Sequence, residues 1–340
     1  MASEEIATRR AARFAHRQLV PALAVLALVL GLAGVLYQAF DAGLGSQGNV
    51  PTFILITLNG LSLAGLYFIT ASGFTLIFGL MRITNLAHGA LFLLGGYVAL
   101  QLGTKLSNWW LAAALAMIVS GVVGLLMHQL FLRWNQGQDL RQALITIALA
   151  IILADQMLAY FGASPQAIPP PSGLAQPLSL GIYGLHYPVF RIFIIVAALG
   201  VGLIFWLGIK RTRVGMVVRA GVDDSAMASA LGVNVQRVFA LAFFVGSALA
   251  GLGGVFAGTT LSLAPGQDQA FLVSSLVVVI IGGMGSLGGA ALGALLLGLV
   301  DQYSSAYLPS DYSHLSVLLT FVLLAVVLAV KPTGLFGRVL

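Results

Sequence analysis

The chain has no cysteine in its 340 residues. That excludes disulfides, thiol nucleophiles and thiolate metal sites. Charge is nearly as scarce: Asp, Glu, Lys and Arg make up 8% of the residues, against 59% hydrophobic. A soluble chain of this length covers its surface with polar groups, and this one has too few. Familiar chemical motifs are missing too. There is no G-x-x-x-x-G-K-[ST] and no H-E-x-x-H, so no P-loop or zinc-protease signature is present. The run 283–287 reads Gly-Met-Gly-Ser-Leu, which is not a nucleophile elbow. The five histidines, at 16, 88, 128, 186 and 314, have no ligand spacing. No metal, no cofactor and no enzymatic step within the chain are expected.

What the chain does have is continuous apolar runs of about 20 residues, the length that crosses a bilayer. Backbone groups in lipid must be satisfied within the spanning structure, which leaves helices or a closed barrel. The runs do not alternate, which excludes the barrel. The fold class is therefore an all-α polytopic membrane protein with about eight to ten transmembrane helices. Spans are expected at 20–40, 53–79, 86–103, 109–132, 143–161, 187–208, 238–261 and 315–330. The stretch 271–300 is apolar but broken by Gly282, Gly283, Gly285, Gly288 and Gly289.

Orientation follows from the basic residues. With the N-terminus inside, the inner segments hold Arg9, Arg10, Arg13, Arg17, Arg82, Arg133, Arg141, Lys210, Arg211, Arg213, Arg219, Arg237, Lys331 and Arg338. Those are fourteen of the sixteen Lys and Arg, and only Lys105 and Arg191 fall outside. This is the positive-inside asymmetry. It accounts for the net charge of +6 without a nucleic-acid partner. The two basic residues after 330 stay inside only if 271–300 bends back at its glycines, as a re-entrant pair or two short crossings. The expected organisation is a basic cytoplasmic tail (1–19), a transmembrane domain (20–332) with a cytoplasmic loop at 209–237, and a cytoplasmic C-terminus (333–340).

Local features carry the functional expectations. Gly246, Ala250, Gly254 and Gly258 share one helix face, and Gly285, Gly289 and Gly293 repeat the spacing. Such faces let helix backbones approach closely in lipid. Asp155 is the clear ionisable residue within a span, either functional or hydrogen-bonded across helices. The run Arg82-Ile83-Thr84-Asn85-Leu86-Ala87-His88-Gly89 places polar groups between two apolar spans. It reads either as a ligand-facing helix start at Gly89 or as an ordinary inner turn capped by Asn85. On the first reading Asn85, His88 and Gly89 border a substrate pathway together with Gly282, Gly283, Gly285 and Gly289. Six prolines in 163–188 make a stiff outer loop, a tether or a receiving surface for an extracytoplasmic partner. The segment 222–232 reads as a short helix. Asp223 and Asp224 lie in its first turn, Met227 and Leu231 on one face, and Gly232 at its C-terminal cap. Such a helix fits a partner's groove, or else rests on lipid headgroups, which the acidic start disfavours.

Several runs match one family: Leu58-Asn59-Gly60-Leu61-Ser62, Asn85-Leu86-Ala87-His88-Gly89, Gly215, Arg219-Ala220, Ala230-Leu231-Gly232-Val233, Gly282-Gly283-Met284-Gly285-Ser286-Leu287-Gly288-Gly289, Ser304-Ser305-Ala306-Tyr307-Leu308 and Lys331-Pro332-Thr333-Gly334-Leu335-Phe336-Gly337. In these the chain resembles the inner-membrane permease subunits of branched-chain amino acid ABC importers, a family that includes urea and amide permeases. The resemblance implies a bacterial inner-membrane location. It also implies a second permease subunit, identical or not, two cytoplasmic ATPases and a periplasmic substrate-binding protein. It makes the segment from Arg219 and Ala220 to Gly232 the ATPase-contacting loop. The expected solute is a branched-chain or related amino acid, with urea or a short amide as the alternative. A self-contained channel or secondary transporter is the reading from another class, and its flux would persist without ATPases.

Overall fold

The computed structural model describes residues 50–181, 184–212, 234–308 and 316–337, plus isolated positions outside those ranges. The expected first span at 20–40 lies almost wholly outside the described residues, as do Arg219, Ala220, Asp223, Asp224 and Leu231.

Helix α1 (Val50–Met81) has 32 residues, so it is about 48 Å long and exceeds the bilayer core. Pro51 sits in its first turn, where a missing N–H costs nothing. Arg82 ends it with φ 55 and donates its N–H to the Phe78 carbonyl. The chain then runs back along α1 without helix. It enters α2 (His88–Leu106) only when His88 reaches the Thr70 carbonyl at 2.9 Å. Thr70 is eleven residues before Met81, so α2 starts about 16 Å up from the end of α1. Helix α3 (Trp109–Met127) is capped by Asn108, whose side chain accepts from Leu111 N–H at 3.1 Å. It continues through a π-helical turn, His128–Leu132, and a 3-10 turn, Arg133–Asn135.

Helix α4 (Asp139–Phe161) leads into the proline-rich loop. The loop is non-helical apart from a small antiparallel hairpin, β1 (Pro177–Ser179) with β2 (His186–Pro188), and Pro177 faces Pro188. Helices α5 (Val189–Arg211), α6 (Val235–Thr260), α7 (Gln267–Gly282), α8 (Leu287–Tyr307) and α9 (Ser316–Val330) complete the described bundle. Seven of these nine helices are long and apolar enough to cross a membrane, and α7 and α9 are shorter apolar helices.

The glycine break does bend the chain back. Gly282 packs on the backbone of Gly289, and Gly293 on the Val278 carbonyl, so α7 and α8 run antiparallel. The C-terminal segment closes the turn: Leu335 N–H donates to Ile281 O at 2.8 Å and Phe336 N–H to Gly282 O at 2.9 Å. The last carbonyls of α7, which a helix end leaves unpaired, are thus satisfied by the chain after Lys331. One end of the bundle therefore carries Arg82, Arg133, Arg141, Lys210, Arg211, Arg237 and Lys331, and the other the proline-rich loop.

Helix α6 is the centre. Most of its apolar span is buried, whereas α4 and α5 are largely exposed. Its small residues make this possible, since Gly246 meets Gly73 of α1 and Gly254 meets Phe92 of α2, backbone to backbone. The main apolar cluster spreads from this axis through Phe74, Phe92, Tyr97, Phe256 and Phe271.

Candidate functional site

The segment after α6 builds a site that the hydropathy pattern does not disclose. Leu263 is fully buried and exchanges backbone hydrogen bonds with Gln166 of the proline-rich loop, at 2.6 and 2.8 Å. Pro265 and Gly266, the latter at φ 89, then turn the chain inward, and α7 begins at depth. Asp268 lies in its first turn, where the positive helix end favours a carboxylate. Its backbone carbonyl touches Gly89, where a side chain has no room. The starts of α2 and α7 therefore meet inside the bundle.

With α4 they line an open cavity of about 620 Å³, within the usual range for small-molecule sites. Its polar wall is Asp268, Asp155, Gln269 and Tyr97, and among the described residues no Lys, Arg or His lines it. Tyr97 is 1% exposed, stacked on Phe161 at 4.3 Å, and its hydroxyl has no hydrogen-bond partner among the described residues. A groove of about 770 Å³ between α1, α5 and α8 is larger but almost wholly apolar, with only Lys210 at one end. Of these two, the smaller is the one that carries carboxylates.

The expected pathway residues separate into two groups. Gly89 lines the cavity, together with Leu86 and Ala90. Asn85 and His88 lie behind that wall and are 1% and 0% exposed. Asn85 Oδ1 accepts from Ala87 N–H at 3.2 Å, while His88 meets Phe74 edge-on as well as Thr70. They hold the start of α2. Gly282, Gly283, Gly285 and Gly289 sit at and beyond the other end of α7, a helix of 16 residues, or about 24 Å. They form the α7–α8 joint. In the loop, Met227 is exposed, and Gly232 takes φ 85 and donates its N–H to the Ser229 carbonyl.

Asp155, expected to be either functional or tied across helices, faces the cavity. Two other acidic residues are withdrawn from the surface, Asp268 buried and Asp301 partly so. Asp268 reads in the sequence as outer-loop charge, and the signal for its burial is the Pro265-Gly266 turn. Asp301 follows an apolar run, but α8 continues past it and Tyr67 donates to its carboxylate at 2.9 Å. At the proline-loop end, Arg191 and Tyr187 both donate to Asn59 Oδ1. Burial pushes the Tyr187 hydroxyl above its ordinary value, and Arg191 acts in the opposite direction.

Comparison with known proteins supplies the class. Residues 56–328 match the family described as branched-chain amino acid transport system / permease component. The high-affinity branched-chain amino acid transport permease LivH of Salmonella typhimurium is 31% identical over 304 residues, 84% of this chain and 96% of LivH. BraD of Pseudomonas aeruginosa, of the same description, is 29% identical over 295 residues, 83% of this chain and 94% of BraD. The ribose import permease RbsC of Escherichia coli is 24% identical over 289 residues, 81% of this chain and 86% of RbsC. A multi-pass helical bundle matched over nearly all its described length places this chain in the branched-chain amino acid transport permease family.

Proposed function

We propose that the chain is the permease subunit of an ABC importer in a bacterial inner membrane, with both termini cytoplasmic. It moves a branched-chain or related amino acid, using ATP hydrolysed by partner subunits. One observation carries this reading: a cavity with a polar wall lies at the depth where α2 and α7 begin, inside a bundle of permease type. Lipid accepts polar groups at depth only where protein or a water-filled cavity surrounds them. A second permease, two ATPases and a substrate-binding protein complete the proposed machine. The test is reconstitution in proteoliposomes. ATP-dependent leucine uptake is expected with all subunits, and none without the ATPases. Uptake that persists without them would mean a self-contained channel.

The topology can be checked separately, because single cysteines are unambiguous in a cysteine-free chain. Ser172 and Ser305 are exposed near the proline-loop end. Cysteines there are expected to react with an impermeant maleimide from outside, and a cysteine at Ser225 to stay unlabelled until the membrane is opened. Outside labelling at 225 would reverse the assigned orientation.

The loop 209–237 is the proposed contact for the ATPases, with Arg219, Ala220, Asp223, Asp224, Met227, Leu231 and Gly232 as its docking residues. Proline at Gly232 cannot adopt φ 85, and glutamate at Arg219 reverses a charge at the base of the segment. Gly232→Pro and Arg219→Glu are each expected to lower uptake per ATP hydrolysed by about five- to a hundredfold, the usual span of inter-site coupling. Unchanged uptake per ATP in both variants would remove this loop from the coupling step.

A further inference from the structure

We propose that Asp268 receives the ammonium group of the transported amino acid, in the cavity between α2, α4 and α7. The inference rests on the importer reading and narrows it to a chemical class: a primary ammonium ion bearing an aliphatic side chain.

Asp268 is 8% exposed. No hydrogen bond or ion pair among the described residues ends on its carboxylate. A carboxylate buried this far is costly unless something compensates it. Its place in the first turn of α7 supplies part of that compensation, and a cation in the cavity would supply the rest. The cavity favours one, because Asp155 adds a second carboxylate and no basic side chain among the described residues lines the wall. A metal ion fits less well, since no group of three His, Cys, Asp or Glu able to hold one occurs among the described residues. An ammonium needs only a few acceptors.

The independent observation is Tyr97. It is 1% exposed, fixed by stacking on Phe161, and lines the same cavity with a hydroxyl that has no partner. It lies within electrostatic range of Asp268. Buried hydroxyls are almost always hydrogen-bonded, so this one is left for a ligand. An α-amino acid carries its ammonium and its carboxylate on the same carbon, which lets Asp268 take the first while Tyr97 donates to the second. Leu93, Ile147, Ile151, Leu272 and Val273 then cover a branched aliphatic side chain. Urea and short amides carry no cation and would leave the buried Asp268 carboxylate uncompensated.

The experiment uses the reconstituted complex and a ligand series. Asp268→Asn is expected to lower leucine uptake by about thirtyfold or more, the loss that follows removal of one partner from a buried charge pair. Tyr97→Phe is expected to raise the leucine concentration for half-maximal uptake. In detergent, without the binding protein, the wild-type complex is expected to bind leucine and isopentylamine but not isocaproate, which lacks the amine. Should Asp268→Asn fail to co-purify with its partners, the ligand series and Tyr97→Phe decide. Wild-type leucine uptake by Asp268→Asn, or isocaproate binding as well as isopentylamine, overturns the assignment of Asp268 alone. A wild-type complex that pumps urea or an amide with ATP, and not leucine, overturns the amino-acid reading itself.

Discussion

Gly254→Leu is expected to remove the folded protein from the membrane. Gly254 lies on the central helix α6 against α2. A β-carbon built there falls on the Phe92 carbonyl oxygen, 2.8 Å from the Phe92 carbonyl carbon and 2.9 Å from the Gly96 nitrogen. These are backbone atoms, so no rotamer change relieves the clash. The two helices must part, and the contact below fares no better, because Gly95 already meets the Gly251 backbone. Parting them also unpacks Phe92, which is fully buried and stacked on Phe271 at 4.1 Å. Overpacking between side chains costs about 1–3 kcal/mol. A backbone clash at the centre lies beyond that, a large share of a typical total stability of about 5–15 kcal/mol. The check is the amount of protein in isolated membranes and its melting temperature in detergent. Gly103→Leu, in the same helix pair but with no atom within 4 Å of the added carbon, should resemble wild type. Equal yield and melting of Gly254→Leu and wild type would contradict this account of the α2–α6 contact.

The second large effect separates two glycines of the α7–α8 joint. Gly282→Leu is expected to prevent assembly, because its β-carbon would occupy the backbone of Gly289 and Ala290. Gly285→Leu is expected to leave a folded subunit that no longer transports. Gly285 is exposed at φ 82, and its β-carbon would stand 3.3 Å from Gly79 Cα. A left-handed leucine costs about 1–2 kcal/mol, which a large bundle tolerates. It also shifts the turn that joins two helices to the end of α1, the kind of position that absorbs motion in a transport cycle. Co-purification with the ATPases reads assembly, and proteoliposome uptake reads transport. Normal uptake by Gly285→Leu would make the joint an inert turn.

The spans were legible because lipid imposes a length. Expected and observed ends mostly agree within a few residues, as at 109–132 and 315–330, and the bend between α7 and α8 followed from Lys331 and Arg338 together with the glycine cluster. The site was less legible. Asp155 stood out as an acid within an apolar run, but its cavity did not. Asp268 precedes its apolar run, and hydropathy cannot register that 261–266 dips inward before the helix begins. Asp301 was masked in the same way, since Val300 closes the apolar stretch while the helix continues. The partner of Arg191, Asn59, is 132 residues away, and no spacing rule spans that distance. The grouping of Asn85 and His88 with Gly285 came from similar local composition, which says nothing of their separation along α7.

The way α4 is held has a mechanical consequence. Near its start Gln142 donates to the Asn135 carbonyl at 2.7 Å, and Thr146 accepts from Leu86 N–H at 3.3 Å. At its far end Gln166 donates to the Phe161 carbonyl at 2.8 Å. Between these ties, no side-chain hydrogen bond among the described residues joins the stretch 147–158 to a neighbour. Helix α4 is a rod pinned at both ends beside a rigid frame, since α2 is fixed to α6 by backbone contact. A long helix flexes gently without breaking its own ladder. The volume of the cavity can therefore change by bowing one wall, with both pins in place and no core contact of α6 disturbed.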